Sequence, residues 1–422
     1  MEKKCYEALG ETLYTGRLEN GLTVYVIPKP GFEKKYAFFA TGYGGADRRF
    51  QLDGTWRDTP AGIAHFLEHK LFDTETGNAL ADLAANGAQP NAFTSSEMTA
   101  YYFECTAGFD ENLKTLLDFV SIPYFTPESV AKEQGIIGQE IGMIEDTPGY
   151  VVYFNLLKAL YGTHPVRDSI AGTVESIAQI TAETLYDLHR AFYRPSNMVL
   201  CAVGDVDPEW VLETARERLP KDYHEPPQKD YGPPDAVPVI NQRTEATMEV
   251  SRPLFLLGTR VPAGERGAAY LQKELTGHLA IQYLAGKSSP LYTRLYEEGL
   301  ISSDFACAFM NGHSYALTEF GGESRDPDHV LEEIKKEAAV IKTKGLDEAR
   351  FIRLKKAASG QLIRRLDEVE TLCYEQTESH FHGATDLDRL AVLTNITSAD
   401  VQAFIAAHLN PEQFALSVVS PK

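Results

Sequence analysis

Apolar residues along this chain follow two alternating spacings. Gly21-Leu22-Thr23-Val24-Tyr25-Val26-Ile27-Pro28 and Tyr36-Ala37-Phe38-Phe39-Ala40-Thr41-Gly42 are short runs enriched in β-branched and aromatic residues, and both predict strands. After a break at Gly108, Leu113, Leu116, Leu117 and Val120 recur three and four apart, which predicts a helix. A second helix opens on Thr126-Pro127, a cap followed by proline in the first turn, and stops at Thr147-Pro148-Gly149. A shorter one is signalled by Thr59 as cap, Pro60 at the first position and an apolar stripe of Ile63, Phe66, Leu67 and Phe72. Together these patterns predict an α+β fold with helices packed on largely antiparallel sheets.

The same grammar is written twice. Ile180-Thr181 opens a helix leading to Pro195 and the strand at 199–203. Ile396-Thr397 opens one leading to Pro411 and the strand at 415–419. Ile180 and Ile396, Pro195 and Pro411, and Leu200 and Leu416 are each 216 positions apart, so two diverged copies of one domain are expected. The run at 252–259 is the counterpart of the strand at 36–42. Proline and charge crowd residues 220–234, near the midpoint. The expected division is an N-terminal domain at 1–219, a linker at 220–238 and a homologous C-terminal domain at 239–422.

Composition narrows the function classes. With 43% hydrophobic residues, 422 positions suffice for two cores. Forty basic against 60 acidic residues leave a formal charge of −20, which excludes a nucleic-acid footprint and is compatible with steering basic peptides. No apolar run nears the ~20 residues that span a bilayer. The N-terminus lacks the apolar core of a signal peptide. Cys5, Cys105, Cys201, Cys307 and Cys373 are odd in number and scattered, so they read as buried thiols of a cytoplasmic protein.

Chemistry concentrates in His65-Phe66-Leu67-Glu68-His69. Residues four apart share a helix face, so His65 and His69 can grip one metal ion, and Glu68 can reach a water on that metal. The order His-x-x-Glu-His is the inverzincin pattern. A catalytic zinc takes a third protein ligand. The helix at 126–146 offers Glu133 and Glu140, seven apart and therefore on one face; one can bind metal while the other orients a ligand, and spacing alone does not rank them.

His65 to His69, Asn91-Ala92-Phe93-Thr94-Ser95 with Thr99-Ala100-Tyr101-Tyr102, Glu133 and Ile136-Ile137-Gly138-Gln139-Glu140 together resemble the pitrilysin or insulinase family of zinc peptidases, peptidase family M16, which includes the mitochondrial processing peptidase. His164-Pro165, Gly172 and Tyr193-Arg194-Pro195-Ser196-Asn197-Met198 fit the same pattern. The resemblance covers roughly the first 210 residues. It implies Zn²⁺ held by His65, His69 and Glu140, Glu68 as catalytic base, and Glu133 as a carboxylate behind the ligands. It also implies that the stretch from Asn91 to Tyr102 is a strand near the substrate, with Asn91, Ala92, Phe93 and Thr94 contacting an extended peptide. The implied shape is a half-clamshell of two homologous domains, similar to the half-size bacterial members.

The second half keeps no His-x-x-Glu-His. His380 and His382, two apart on an expected helix, should point in different directions. Catalytic relatives draw an arginine and a tyrosine from this half. On the match of residues 288–300 the arginine's place falls at or beside Leu295 and the tyrosine's on Ser302, with Arg294 and Tyr315 nearby but out of register. The expectation is a zinc endopeptidase acting as a homodimer, or as a heterodimer with a related motif-less subunit that provides the missing groups. The alternative is a catalytically silent zinc-binding scaffold or peptide-binding subunit. A His/His/Glu set accepts several divalent ions, so zinc is the family's implication rather than the ligands'.

Overall fold

The computed structural model describes residues 1–233 and 239–422. Its first sheet comprises β1 (Glu2–Tyr6), β2 (Glu11–Arg17), β3 (Thr23–Pro28), β4 (Lys35–Thr41), β5 (Gln89–Thr94), β6 (Thr99–Cys105) and β7 (Met198–Gly204), in the order β1-β2-β3-β7-β4-β6-β5. The second comprises β8 (Arg243–Met248), β9 (Leu254–Val261), β10 (Ala306–Asn311), β11 (Ala316–Glu323) and β12 (Phe414–Pro421), in the order β8-β12-β9-β11-β10. Without β1 and β2 the two orders coincide. Each has one parallel pair in the same place, β3 with β7 and β8 with β12, among antiparallel neighbours.

The repeat read from the sequence is thus a repeat of structure. Thr181 and Thr397 cap the helices Ala182–Phe192 and Ser398–His408 through equivalent capping boxes, and Pro195 and Pro411 each open a 3-10 turn that feeds β7 or β12. A threonine that satisfies the first-turn N–H groups and a proline with fixed φ determine both segments locally.

Four further elements position the chemistry: α1 (Ile63–Leu71), α2 (Pro127–Glu145), α3 (Pro148–Leu160) and α4 (Val369–Phe381). One face of the first sheet, with Val26, Phe39 and Tyr101, packs beneath Ile63, Phe66 and Leu67 of α1. Its other face, with Tyr25, Phe38 and Cys201, is closed by Leu372 and Cys373 of α4, a helix from the second half of the chain. Reciprocally, α3 from the first half lies on the second sheet, where Leu156, Leu157 and Leu160 meet Leu317 and Ala415. The division at 220–238 therefore follows the chain but not the packing. The run before it is also bolted down: Lys229 and Tyr231 both bond the buried carboxylate of Asp47, at 2.8 and 2.7 Å. Residues 234–238 of the expected linker lie outside the described residues.

Several local expectations need correction. Thr59 does not cap α1; its hydroxyl donates to the Arg48 carbonyl, and the helix starts at Ile63 behind Gly62, whose φ is 90°. The cause is a backbone crossing: a Cβ on Gly62 would lie 2.5 Å from the Ala171 oxygen, and one on Gly172 would lie 2.4 Å from the Ala61 oxygen. Thr147-Pro148 ends α2 but immediately begins α3. The stretch from Asn91 to Tyr102 is not one strand but a hairpin, β5 and β6, folded back at residues 95–98. Of the five thiols, Cys105, Cys201 and Cys373 are buried, whereas Cys5 on β1 is exposed and Cys307 is half-buried. No single described helix is long and apolar enough to cross a membrane.

Leu156 is fully buried on α3. Leu156→Ala should cost about 2–5 kcal/mol, read as a lowered denaturant midpoint. Because the helices are exchanged, both halves should unfold in one transition; a second sheet melting separately from the first would contradict this coupling.

Candidate metal centre

With its apolar stripe turned to the sheet, α1 presents His65 and His69 on the side facing α2, their ring centres 4.6 Å apart. Thr126 caps α2 through a capping box, and the helix carries Glu133 and Glu140 across them. Nε2 of His65 lies 3.5 Å from Glu140 Oε1, and Nε2 of His69 lies 3.7 Å from Glu140 Oε2. Nδ1 of His69 meets Glu133 Oε1 at 3.1 Å. Donating Nδ1–H to Glu133 leaves the His69 lone pair on Nε2, towards Glu140.

These groups fit a divalent ion. Ligand atoms of His65, His69 and Glu140 all lie within 4.8 Å of one another, the one such set among the described residues. Tetrahedral bonds of about 2.0–2.1 Å would set ligand atoms about 3.3–3.4 Å apart, so the observed pairs need to close by only a few tenths of an ångström. Glu133 stands outside the set, bonded to a member of it. Three donors leave one position open.

The surroundings tune each group. Burial, then the neighbouring His69, lowers His65 to about 4, which keeps its imidazole neutral at physiological pH. Burial pulls His69 down as well, but its Glu133 hydrogen bond and the charges of Glu68, Glu133 and Glu140 outweigh that and raise it. Glu68 is 7% exposed, and burial raises it against the opposing hydrogen bond from Thr94 and the charge of His69. Thr94 Oγ1 donates to Glu68 Oε2 at 2.6 Å.

The expected substrate quartet is thereby divided. Thr94 serves Glu68, while Phe93 turns to the opposite face against Tyr374 of α4, ring centres 5.7 Å apart. Ala92 packs on the core beneath α1, and the Asn91 side chain accepts from the Ala92 N–H at 2.9 Å. β5 is the outermost strand of its sheet, with one backbone edge open to pairing. In the second half, Arg294 is paired with Glu333 at 2.8 Å and Tyr315 is buried.

Lys70 escaped the sequence reading. It is 1% exposed, bonds Asp73, and stands 3.8 Å from Glu133 Oε2, placing a cation behind the carboxylate that holds His69. Its signal was available: Lys70 follows Phe66 by four and Leu67 by three, inside the buried stripe, where a cation requires a carboxylate.

Comparison with known proteins finds one family in both halves of the chain. Residues 54–174 match the model of Insulinase (Peptidase family M16), and residues 179–358 match the Peptidase M16 inactive domain. A Bacillus subtilis protein named "Uncharacterized zinc protease YmfH" is 40% identical over 99% of this chain and 98% of its own length. The crystal structure of an M16-like peptidase from Alicyclobacillus acidocaldarius superimposes with a TM-score of 0.93 at 35% identity, covering 98% of this chain and 99% of that one. The periplasmic protease PqqL of Escherichia coli shares the fold at 18% identity and a TM-score of 0.75; the match takes 96% of this chain but 47% of PqqL.

Glu133→Gln should weaken metal retention by about 10–100-fold. Competition with a chromogenic chelator would measure it, with circular dichroism showing the fold unchanged.

Proposed function

Because the chain belongs to peptidase family M16, we propose that it is a zinc-dependent endopeptidase that hydrolyses extended peptides. The observation that carries this reading is the convergence of His65 Nε2, His69 Nε2 and Glu140 beside a buried Glu68 whose Oε2 is held by Thr94. A structural zinc takes four protein ligands and has no use for an adjacent base. In this reading His65, His69 and Glu140 hold the ion, and Glu133 orients His69. Zinc, when bound, supplies a Lewis acid that brings the pKa of a water from 15.7 towards about 7.

The chain's own residues do the rest. Thr94 fixes one Glu68 oxygen, leaving Oε1 to accept a proton from the attacking water and return it to the departing amine. The raised affinity of Glu68 for a proton brings the base closer to neutrality, where both transfers are efficient. A peptide adding to the open edge of β5 would be held by backbone hydrogen bonds, with loose demands on its sequence. Phe93 and Asn91 would then border it rather than bind the ion.

In this reading the two second-half residues nearest the expected places for oxyanion donors are otherwise engaged, Arg294 being paired with Glu333 and Tyr315 buried. This favours activity in an assembly, either a homodimer or a heterodimer with a motif-less relative, in the cytoplasm. It is also the observation behind the second reading, a zinc-binding subunit silent on its own.

Cleavage of a mixed peptide library by the zinc-loaded chain is the test, with Glu68→Gln alongside. The variant should retain zinc and lose at least 10²-fold in turnover. Wild-type turnover in the variant would remove Glu68 from the role. A folded, zinc-bound wild type that stays silent with every candidate partner would establish the scaffold reading.

A further inference from the structure

A polar cavity of about 1000 Å³, lined by none of the proposed metal ligands, opens where the two halves meet. Equivalent turns form part of its wall: residues 95–98 between β5 and β6, and residues 312–315 between β10 and β11. They touch across the junction, where the Glu97 carboxylate accepts from the N–H groups of His313 and Ser314 and from the Ser314 hydroxyl, at 2.6, 2.7 and 2.6 Å. The end of α4 supplies the opposite wall. The helix stops at Phe381, and the two histidines meet different rings: His380 lies against Tyr25 with ring centres 5.6 Å apart. His382 leaves its path to stack on Tyr270 with ring centres 4.0 Å apart, and both histidines line the cavity.

The charged groups of this wall differ in whether they have partners. Glu97 accepts from three neutral donors, Glu274 shares Arg389 with Glu375 and Asp386, and Lys229 is taken by Asp47. Burial, with Glu375 and Glu274 beside it, pushes Glu378 up to about 8, so it is largely protonated at neutral pH. What remains is a pair of guanidinium groups, Arg17 and Arg266, neither of which has a hydrogen-bond or ion-pair partner among the described residues. Both press on His380, which burial and these two cations hold at about 4.

Deeper in the wall, polar atoms lack partners. Asn311, 9% exposed, uses neither atom of its side-chain amide, and His382, 5% exposed, leaves Nδ1 unbonded. Buried polar groups are rarely left so. Tyr25, Tyr374 and Phe309 add flat apolar surface. The volume far exceeds that of an inorganic ion and matches organic ligands.

We propose that this interdomain cavity binds a small organic oxyanion, a carboxylate or phosphate on an aromatic or apolar body. Arg17 and Arg266 take its charge, and Asn311 and His382 fix its orientation. The site is built from residues other than those of the metal centre and does not depend on the peptidase reading, so its test measures binding alone.

Isothermal titration of the full chain would use four probes: N-acetylphenylalanine, its carboxamide, phenyl phosphate and inorganic phosphate. The carboxylate or the aryl phosphate should bind, and which of them binds tighter identifies the anion. The carboxamide should bind at least 10-fold more weakly than the acid. Arg266→Gln and Arg17→Gln, both at exposed positions, should each weaken the preferred probe about 10-fold while metal retention is unchanged. Asn311→Leu should weaken it comparably in a chain that still folds. Equal affinity for acid and carboxamide, inorganic phosphate binding as tightly as phenyl phosphate, indifference to both arginine substitutions, or no binding at millimolar concentration would each overturn the proposal.

Discussion

Each of the two large sheets of this protein is closed on one face by a helix that the other half of the chain supplies, and the remaining architecture follows from that exchange. α4 covers the first sheet and α3 covers the second, each through fully buried aliphatic side chains. Burying such side chains stabilises by about 1.5–3 kcal/mol each, so separating the halves would expose two cores at once. The exchange also fixes where the chemistry sits. α3 follows α2 directly through Thr147-Pro148, so the helix that carries Glu133 and Glu140 is anchored at its end to the second sheet.

Within that frame the metal centre is an electrostatic arrangement of two helices. Three carboxylates, Glu68, Glu133 and Glu140, surround two imidazoles, and burial disfavours leaving them without a cation. The protein answers this locally with Lys70 behind Glu133 and a neutral hydroxyl, Thr94, on Glu68. A divalent ion would balance the rest. The His69–Glu133 hydrogen bond spans α1 and α2, so any shift of one helix against the other would reach the ligand geometry through a single ring.

The duplicated fold has been put to unequal use. In the first copy the edge hairpin β5–β6 places Thr94 on Glu68; in the second, β10–β11 ends in Asn311 and His313 at the interdomain cavity. The turns of both hairpins meet at Glu97. One strand–turn–strand unit thus borders a metal centre in one half and a polar cavity in the junction between the halves.

Sequence by itself determined what is local. The capping boxes at Thr181 and Thr397, the turns at Pro195 and Pro411, and the pairing of His65 with His69 each depend on contacts within a few residues, and the strands at 23–28 and 35–41 show in the local run of β-branched and aromatic residues, though not in which strands they pair with. The spacing of Glu133 and Glu140 was equally legible, but not which of them faces the histidines' Nε2 atoms; that is set by how α2 crosses α1. Tertiary structure alone decided the helix exchange, because an apolar stripe such as that of α3 says that it must be buried but not by which sheet. It decided the start of α1 too, where the crossing of Gly62 and Gly172 overrode a sound local cap at Thr59. It set His380 and His382 against different rings in the wall of one cavity, and it left Cys5 on an exposed outer strand. Side-chain periodicity encodes which face is buried; the identity of what covers it is a property of the folded whole.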